Sequence, residues 1–318
     1  MKLLKLISLA LLLALPAAAQ VNDTYVIPAA ANVPGAFATR WMTQFSVFNP
    51  QLDYALVVSV VYQPTGGGTG LEELIRVPAN SVAYSDNILA DLFDVNGTGS
   101  LFIATFPEDN PGVPNQVLDR SFLVTTNTYN NRSDGTYGQT IPGTWTGLQD
   151  IDTDGISAIA HGIRNVSALG WRTNIGAVNL GRCSVTMFVT VFDVNGNTKL
   201  NRAPFQVPPL GHMQDRLPIE VDRASLEFFI DDPCANDANK SAVVFPYVST
   251  IDQLSGDPAY QTPMLLASAK TLFGKKAIDP QSLGRKIDIT TARSVRETVK
   301  RLGFAALVVE GDGYRITR

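Results

Sequence analysis

Between residues 41 and 47 the side chains alternate in character. Trp41, Thr43, Phe45 and Val47 share one parity, and Met42, Gln44 and Ser46 share the other. A period of two is the signature of a strand with one buried face. The next run, YALVVSVVYQP at 54–64, is apolar on both parities, as expected of a central strand covered on both sides. GGGTG at 66–70 reads as a flexible hairpin tip, and the Asn-Gly pairs at 96–97 and 195–196 as tight turns needing positive φ. Asn49 closes its strand, where a short amide can bond its own backbone.

The same alternation returns 130 positions later. WMTQFSVFN at 41–49 is matched by WRTNIGAVN at 171–179, Val61-Tyr62 by Val191-Phe192, and Val77-Pro78 by Val207-Pro208. Further on the offset shrinks: GSLFIATF (99–106) aligns with ASLEFFID (224–231), and TYGQTIP (136–142) with AYQTP (259–263). Agreement at separated points, with length changes confined to loops, predicts a duplicated domain. The fold class expected is mainly β: two tandem Ig-like antiparallel β-sandwiches over 21–145 and 150–263, followed by a small α/β carboxy-terminal domain over 264–318. A six- to eight-stranded barrel is the competing closure. Trp171 precedes the first Cys rather than falling between the two, so the strict immunoglobulin pattern is absent. Trp41 and Trp171 are expected as core plugs.

The stretch VIPAAANVPGAFATRWMTQFSVFNP (26–50) resembles the repeating unit of uncharacterised exported bacterial proteins built from tandem Ig-like β-sandwich repeats. The resemblance covers residues 25–263, and the second copy departs from it by reading Asn179-Leu180 where the usual strand end is Asn-Pro. It implies a fold and a compartment, and it brings no catalytic residues with it.

Composition supports export. The amino terminus MKLLKLISLALLLALPAAAQ has a charged start, a short apolar run and a small-residue site, the pattern of a signal peptide over 1–19. Hydrophobic residues make up 45% and charged residues 17%, with 25 Gly and 19 Pro, which favours an exported β-protein over a helical enzyme. A periplasmic or extracellular location, including the cell surface, makes a disulfide permissible, and Cys183 and Cys234 are the two cysteines available to form it.

Candidate chemistry is sparse. His161 and His212 are the two histidines, which excludes a His-rich metal site, and no HExxH, GxSxG, CxxC or phosphate-cradling loop occurs. In DIDTDGIS, Asp150, Asp152 and Asp154 copy the opening of a calcium loop, but the twelfth position is His161 where an EF-hand places a bidentate Glu. Two readings stand for it: a bound calcium ion, or a solvated acidic linker.

Charge is divided. Residues 20–263 carry 12 Lys+Arg against 24 Asp+Glu, and residues 264–318 carry 11 against 5. Segments 264–276, 279–287 and 291–303 read as helices, the last with a Val295, Val299, Leu302 stripe, and 304–318 as a hairpin turning at Gly311-Asp312-Gly313. Arg293, Arg296, Lys300 and Arg301 form the basic face expected to bind. SVRETVKRLGF and VVEGDGYRI resemble a biotin-repressor-type winged helix, which would imply DNA binding; the same order of elements resembles a peptidoglycan-binding SPOR-type module. Export argues against nucleic acid. The reading that follows is an exported non-catalytic binding or adhesion scaffold, its basic tail docking to an anionic cell-envelope polymer or surface protein. A carbohydrate-active enzyme with an unrecognised carboxylate site, and tail-mediated DNA binding, are the alternatives.

Overall fold

The computed structural model of the protein describes residues 24–35, 39–107, 121–132, 135–144, 156–237, 240–267, 306–310 and 313–317. The chain is mainly β and divides into two compact units, residues 1–146 and 147–318.

The first unit contains β1 (Thr24–Pro34), β2 (Arg40–Asn49), β3 (Leu56–Pro64), β4 (Leu71–Val77) and β5 (Ser81–Ser85). A one-turn helix α1 (Ile88–Asp91) precedes β6 (Gly97–Pro107), β7 (Leu123–Arg132) and β8 (Gly135–Thr140). All neighbours are antiparallel, in the order β4-β3-β6-β1-β2-β7-β8, with β5 on the other side of β2. β1 serves both halves: Thr24 to Asn32 pair with β6, and Asn32 to Pro34 with β2. The expected alternation is present. Thr43, Phe45, Val47 and Asn49 are buried along β2, whereas Gln44, Ser46 and Phe48 are half-buried. β3 lies between β4 and β6, with Leu56, Val58, Val60 and Tyr62 buried on one face and Val57 and Val61 half-buried on the other.

The second unit contains β9 (Ile156–Asn165), a 3-10 turn (Ser167–Leu169), β10 (Trp171–Asn179), β11 (Val185–Phe192), β12 (Thr198–Val207) and β13 (Gly211–Arg216). It continues with β14 (Val221–Asp231), β15 (Val244–Asp252), β16 (Pro258–Gln261) and β17 (Met264–Ala267). They form two sheets, β12-β11-β14-β9-β17 and β13-β10-β15-β16. Side chains from both sheets make one core, including Ala160, Ile175, Val189, Phe228, Val244 and Val248.

Strand by strand the second order follows the first, with β9 in the place of β1, β10 of β2, and so on to β16 for β8, except that β1 pairs with β2 whereas β9 and β10 share no ladder, so two sheets stand where the first unit has one. Even the final strand has a counterpart. β17 pairs with the start of β9, and in the first unit Val26 makes an isolated antiparallel bridge to Thr144. Equivalent polar residues are buried at equivalent places. Thr43 faces Thr128 across β2 and β7 with their hydroxyls 2.8 Å apart, and Thr173 faces Thr250 across β10 and β15 at 2.9 Å. Asn49 Oδ1 accepts from Gln51 N, and Asn179 Oδ1 from Gly181 N, the two-residue bond expected of strand-closing amides. Each pairing satisfies groups that would otherwise be costly to bury.

Three expectations are corrected. The tryptophans are half-buried, not core plugs, because each stands at or next to the start of its strand, where the interior row of side chains runs out. Met264–Ala267, expected to begin a helix, is a strand, because the free edge of β9 offers it a ladder from Ile156 to Ile159. The Asn96-Gly97 pair carries no positive φ; the left-handed residue of that turn is Asp94, at φ 52°. Gly196 does adopt one, at φ 81°.

The expected disulfide is present between Cys183 and Cys234, with their Cα atoms 6.3 Å apart. Of the tail, Ala306–Glu310 and Gly313–Thr317 form the expected antiparallel hairpin, β18 and β19. The signal segment 1–19, the aspartates Asp150, Asp152 and Asp154, and the basic face Arg293, Arg296, Lys300 and Arg301 lie outside the described residues. Among the described residues no helix is long and apolar enough to cross a membrane.

One glycine of the second unit is fixed by packing. A Cβ on Gly176 would lie 2.2 Å from the Tyr247 ring, so the ring rests directly on the β10 backbone. Gly176→Ala should cost about 1–2 kcal/mol through forced repacking, measured by urea denaturation.

Candidate binding cleft

A cleft of about 200 Å³ opens in the second unit between β9 and the β10-β15-β16 edge. Its walls come from three places in the sequence: Gly162 to Arg164, Trp171, and strand residues of β15 and β16. Local structure explains the opening. Gly162 has φ +71°, and the β14–β9 register shifts beside it, so β9 bends away from its neighbour. Gly170 then ends the 3-10 turn in the left-handed region at φ 78°, which delivers Trp171 to the start of β10.

The Arg164 guanidinium lies 4.7 Å from the Trp171 ring centroid, a cation–π stack. Its Nε donates to Asp222 Oδ1 at 2.8 Å, so the positive charge has a partner on β14. The Thr173 hydroxyl donates to the Arg164 carbonyl and thereby anchors the β9 backbone behind the stack. On the far side Gln261 acts as a clip. Its Oε1 accepts from His161 N at 3.1 Å and its Nε2 donates to His161 O at 3.0 Å. The amide thus continues the ladder that β17 makes with β9, and it holds β16 to the opposite sheet.

Behind the cleft stands a buried aromatic column. Tyr260 stacks on Tyr247 with centroids 5.5 Å apart, and His212 stacks on Tyr247 at 5.8 Å. Tyr247 donates its single proton to Gln214 Oε1 at 2.7 Å. The His212 Nε2 contact at 2.8 Å must then carry the proton on the imidazole, which sets the neutral Nε2–H tautomer. Burial pushes the His212 pKa down to about 3 and raises both tyrosines well above the usual phenol value. At physiological pH the column is therefore uncharged.

Of the residues singled out by sequence, the structure brings Trp171 into the cleft and sends His212 to the column. His161 contributes its backbone. Trp41 sits at the same register position in the first unit, opposite Asn130 as Trp171 is opposite Asp252. Its neighbours differ: the indole lies against Gly35, and Ala31 stands at the place of Arg164. Arg164, Gln261 and Tyr260 carried no sequence signal of function. Their spacing in the chain is that of unrelated strands, and pairing alone brings them together.

None of the family models and none of the curated proteins compared with the chain matches it. Among solved structures, a lectin from Pleurotus ostreatus in complex with GalNAc is similar over 82% of this chain and 90% of that chain, at 7% identity and a TM-score of 0.19. A TM-score at that level carries no argument about fold or site.

Proposed function

We propose that the protein is an exported, non-catalytic binding scaffold of two tandem Ig-like β-modules, and that the cleft beside Trp171 holds one neutral sugar ring of a surface glycan. The supporting observation is the cleft itself: a half-buried indole stacked by a charge-neutralised guanidinium, facing the Gln261 amide. Aromatic faces pack against the C–H face of a sugar while amides and hydroxyls meet its oxygens. A volume of about 200 Å³ is smaller than drug-sized sites and suits a single ring. Asp222 offsets Arg164, so the cleft favours a neutral over an anionic ligand. Among the described residues that line it there is no carboxylate, which supports recognition over acid–base chemistry. The disulfide and the predicted signal segment support export.

Titration of the protein with the methyl glycosides of glucose, galactose, mannose and N-acetylglucosamine, followed by intrinsic fluorescence, tests this reading. A saturable change is expected that Trp171→Ala abolishes and Trp41→Phe preserves. Unchanged emission with all four sugars would sink it.

The basic tail is proposed to dock to an anionic envelope polymer, on the strength of the charge division in the sequence. Truncation after Ala267 keeps β17 in place and should remove salt-sensitive retention on lipopolysaccharide or teichoic acid. Retention that survives the truncation would refute tail docking.

A further inference from the structure

We infer that the outer face of the β5-β2-β7-β8 sheet in the first unit is a platform for an extended neutral polysaccharide chain. This surface is separate from the cleft and does not rest on it.

The face is built of side chains with the parity opposite to the core. Tyr84 on β5 is 59% exposed, Thr125 on β7 is exposed, and Gln44, Asn127 and Tyr129 are half-buried beside them. Register places them in rows: Tyr84 beside Ser46 and then Thr125, and Gln44 beside Asn127. The two phenols are held in place. Tyr84 donates to the Asp86 carboxylate and accepts from Gln44 Nε2 at 2.7 Å, and Tyr129 donates to the Asp86 carbonyl at 3.1 Å. Rings ordered before binding lose little conformational entropy when a ligand arrives. Beyond Tyr129 the sheet stays low, because a Cβ on Gly138 would come within 2.7 Å of the tyrosine Cβ. β5 joins the rows from Phe45 to Asn49 and β8 those from Asn127 to Arg132, so each row is three strands, about 10 Å, across.

Charge selects the occupant. Segments 41–49, 81–85 and 123–131 contain no Lys or Arg, and Arg40 spends its guanidinium on Asn32 and Asn96. Asp86 and Asp91 stand at one rim, and Asp91 accepts from the Ser85 hydroxyl. Such a face repels nucleic acid and uronic polymers. The exposed ring of Tyr84 and the half-buried ring of Tyr129, interleaved with amides and hydroxyls, match a chain of neutral pyranoses, whose flat faces and equatorial hydroxyls alternate in the same way.

The duplicate positions in the second unit show the contrast. Gly176 stands where Ser46 does, Tyr247 where Thr125 does, and Gln214 where Tyr84 does; there the ring lies down on the backbone and is buried with His212. One copy keeps the face open and polar, and the other has filled it.

Affinity electrophoresis of the full chain through gels containing hydroxyethyl cellulose, mixed-linkage β-glucan or galactomannan, with polygalacturonate as the anionic control, tests the inference. Retardation by at least one neutral glucan or mannan is expected, with none by polygalacturonate. Tyr84→Ala should weaken it about tenfold, the loss of one stacked ring with its oriented partners. Thr125→Arg, a central and exposed site that leaves the Tyr84 bonds intact, should weaken it similarly, so a folding defect in either variant cannot hide the result. Absence of retardation in all three neutral gels, retardation by polygalacturonate alone, or retardation unchanged by both variants would each overturn it. Retardation lost in Trp171→Ala but kept in Tyr84→Ala and Thr125→Arg would assign the binding to the cleft instead.

Discussion

Reduction of the Cys183–Cys234 bridge, or its replacement by Cys183→Ala with Cys234→Ala, should lower the stability of the second unit by about 4 kcal/mol. The two cysteines are 51 residues apart, and in the chain-entropy account a loop of that length loses about that much freedom in the unfolded state when it is closed. The bridge ties the β10–β11 connection to the β14–β15 connection. Both are already ordered by other means. Buried Asp232 accepts from Cys234 N at 2.8 Å and from Ala242 N at 2.7 Å, while Asn179 Nδ2 donates to the Cys183 carbonyl at 2.8 Å. Because these bonds hold the loops without the crosslink, the reduced form should keep its native fold and show the loss in its unfolding midpoint. In urea the shift should be about 2 M, from a slope of about 2 kcal/mol per molar. The first unit, which has no cysteine, supplies an internal control whose transition stays in place. A midpoint of the second transition that does not respond to reductant would contradict the entropic account.

Acid should act on the same unit through His212. Its folded pKa is about 3, depressed by burial, whereas in the unfolded chain it is about 6.5. Below pH 6.5 the unfolded chain takes up a proton that the folded chain refuses, so stability falls as pH falls, by up to about 1.4 kcal/mol per pH unit. Between pH 7.5 and 4.5 the loss should reach about 2.5 kcal/mol. Glu220 and Asp193, held low by hydrogen bonds to Ser167 and to Asn197, add to this loss only at the acid end of the window, where the unfolded chain begins to protonate them, and Glu227, raised by burial, acts in the opposite direction. His212→Gln keeps a donor for Tyr247 and removes the titration. Its stability should therefore be flatter over the same window, at some cost in packing against the column. Parallel pH slopes in the two proteins would show that His212 is not the coupled group.

The strands and their parity were legible because period-two alternation survives in a single sequence. WMTQFSVFN and WRTNIGAVN carry both the pattern and its repetition. The disulfide was legible because the sequence has two cysteines and one simple use for them where oxidation is permitted. Depth was not legible. Parity puts Trp171 on the same face as Thr173, yet Thr173 is buried and Trp171 half-buried, since burial also depends on distance from the strand end. The buried threonine pairs were equally hidden, because Thr43 and Thr128 are 85 residues apart and only register joins them. The helix expected from Met264 failed for a related reason. A short apolar segment takes the conformation its neighbour can satisfy, and β9 had backbone groups to offer. The cleft depends on two local facts, the bend at Gly162 and the stack of Arg164 on Trp171, and on one long-range fact, the reach of Gln261 to His161.

The pairing of Thr144 and of Met264–Ala267 with the first described strand of their own units has an evolutionary corollary. Where Thr144 meets Val26, and Ala267 meets Ile156, the chain leaves a module beside the point at which it came in. A stretch of gene encoding a segment whose ends lie side by side can be copied end to end without rerouting any connection through the interior.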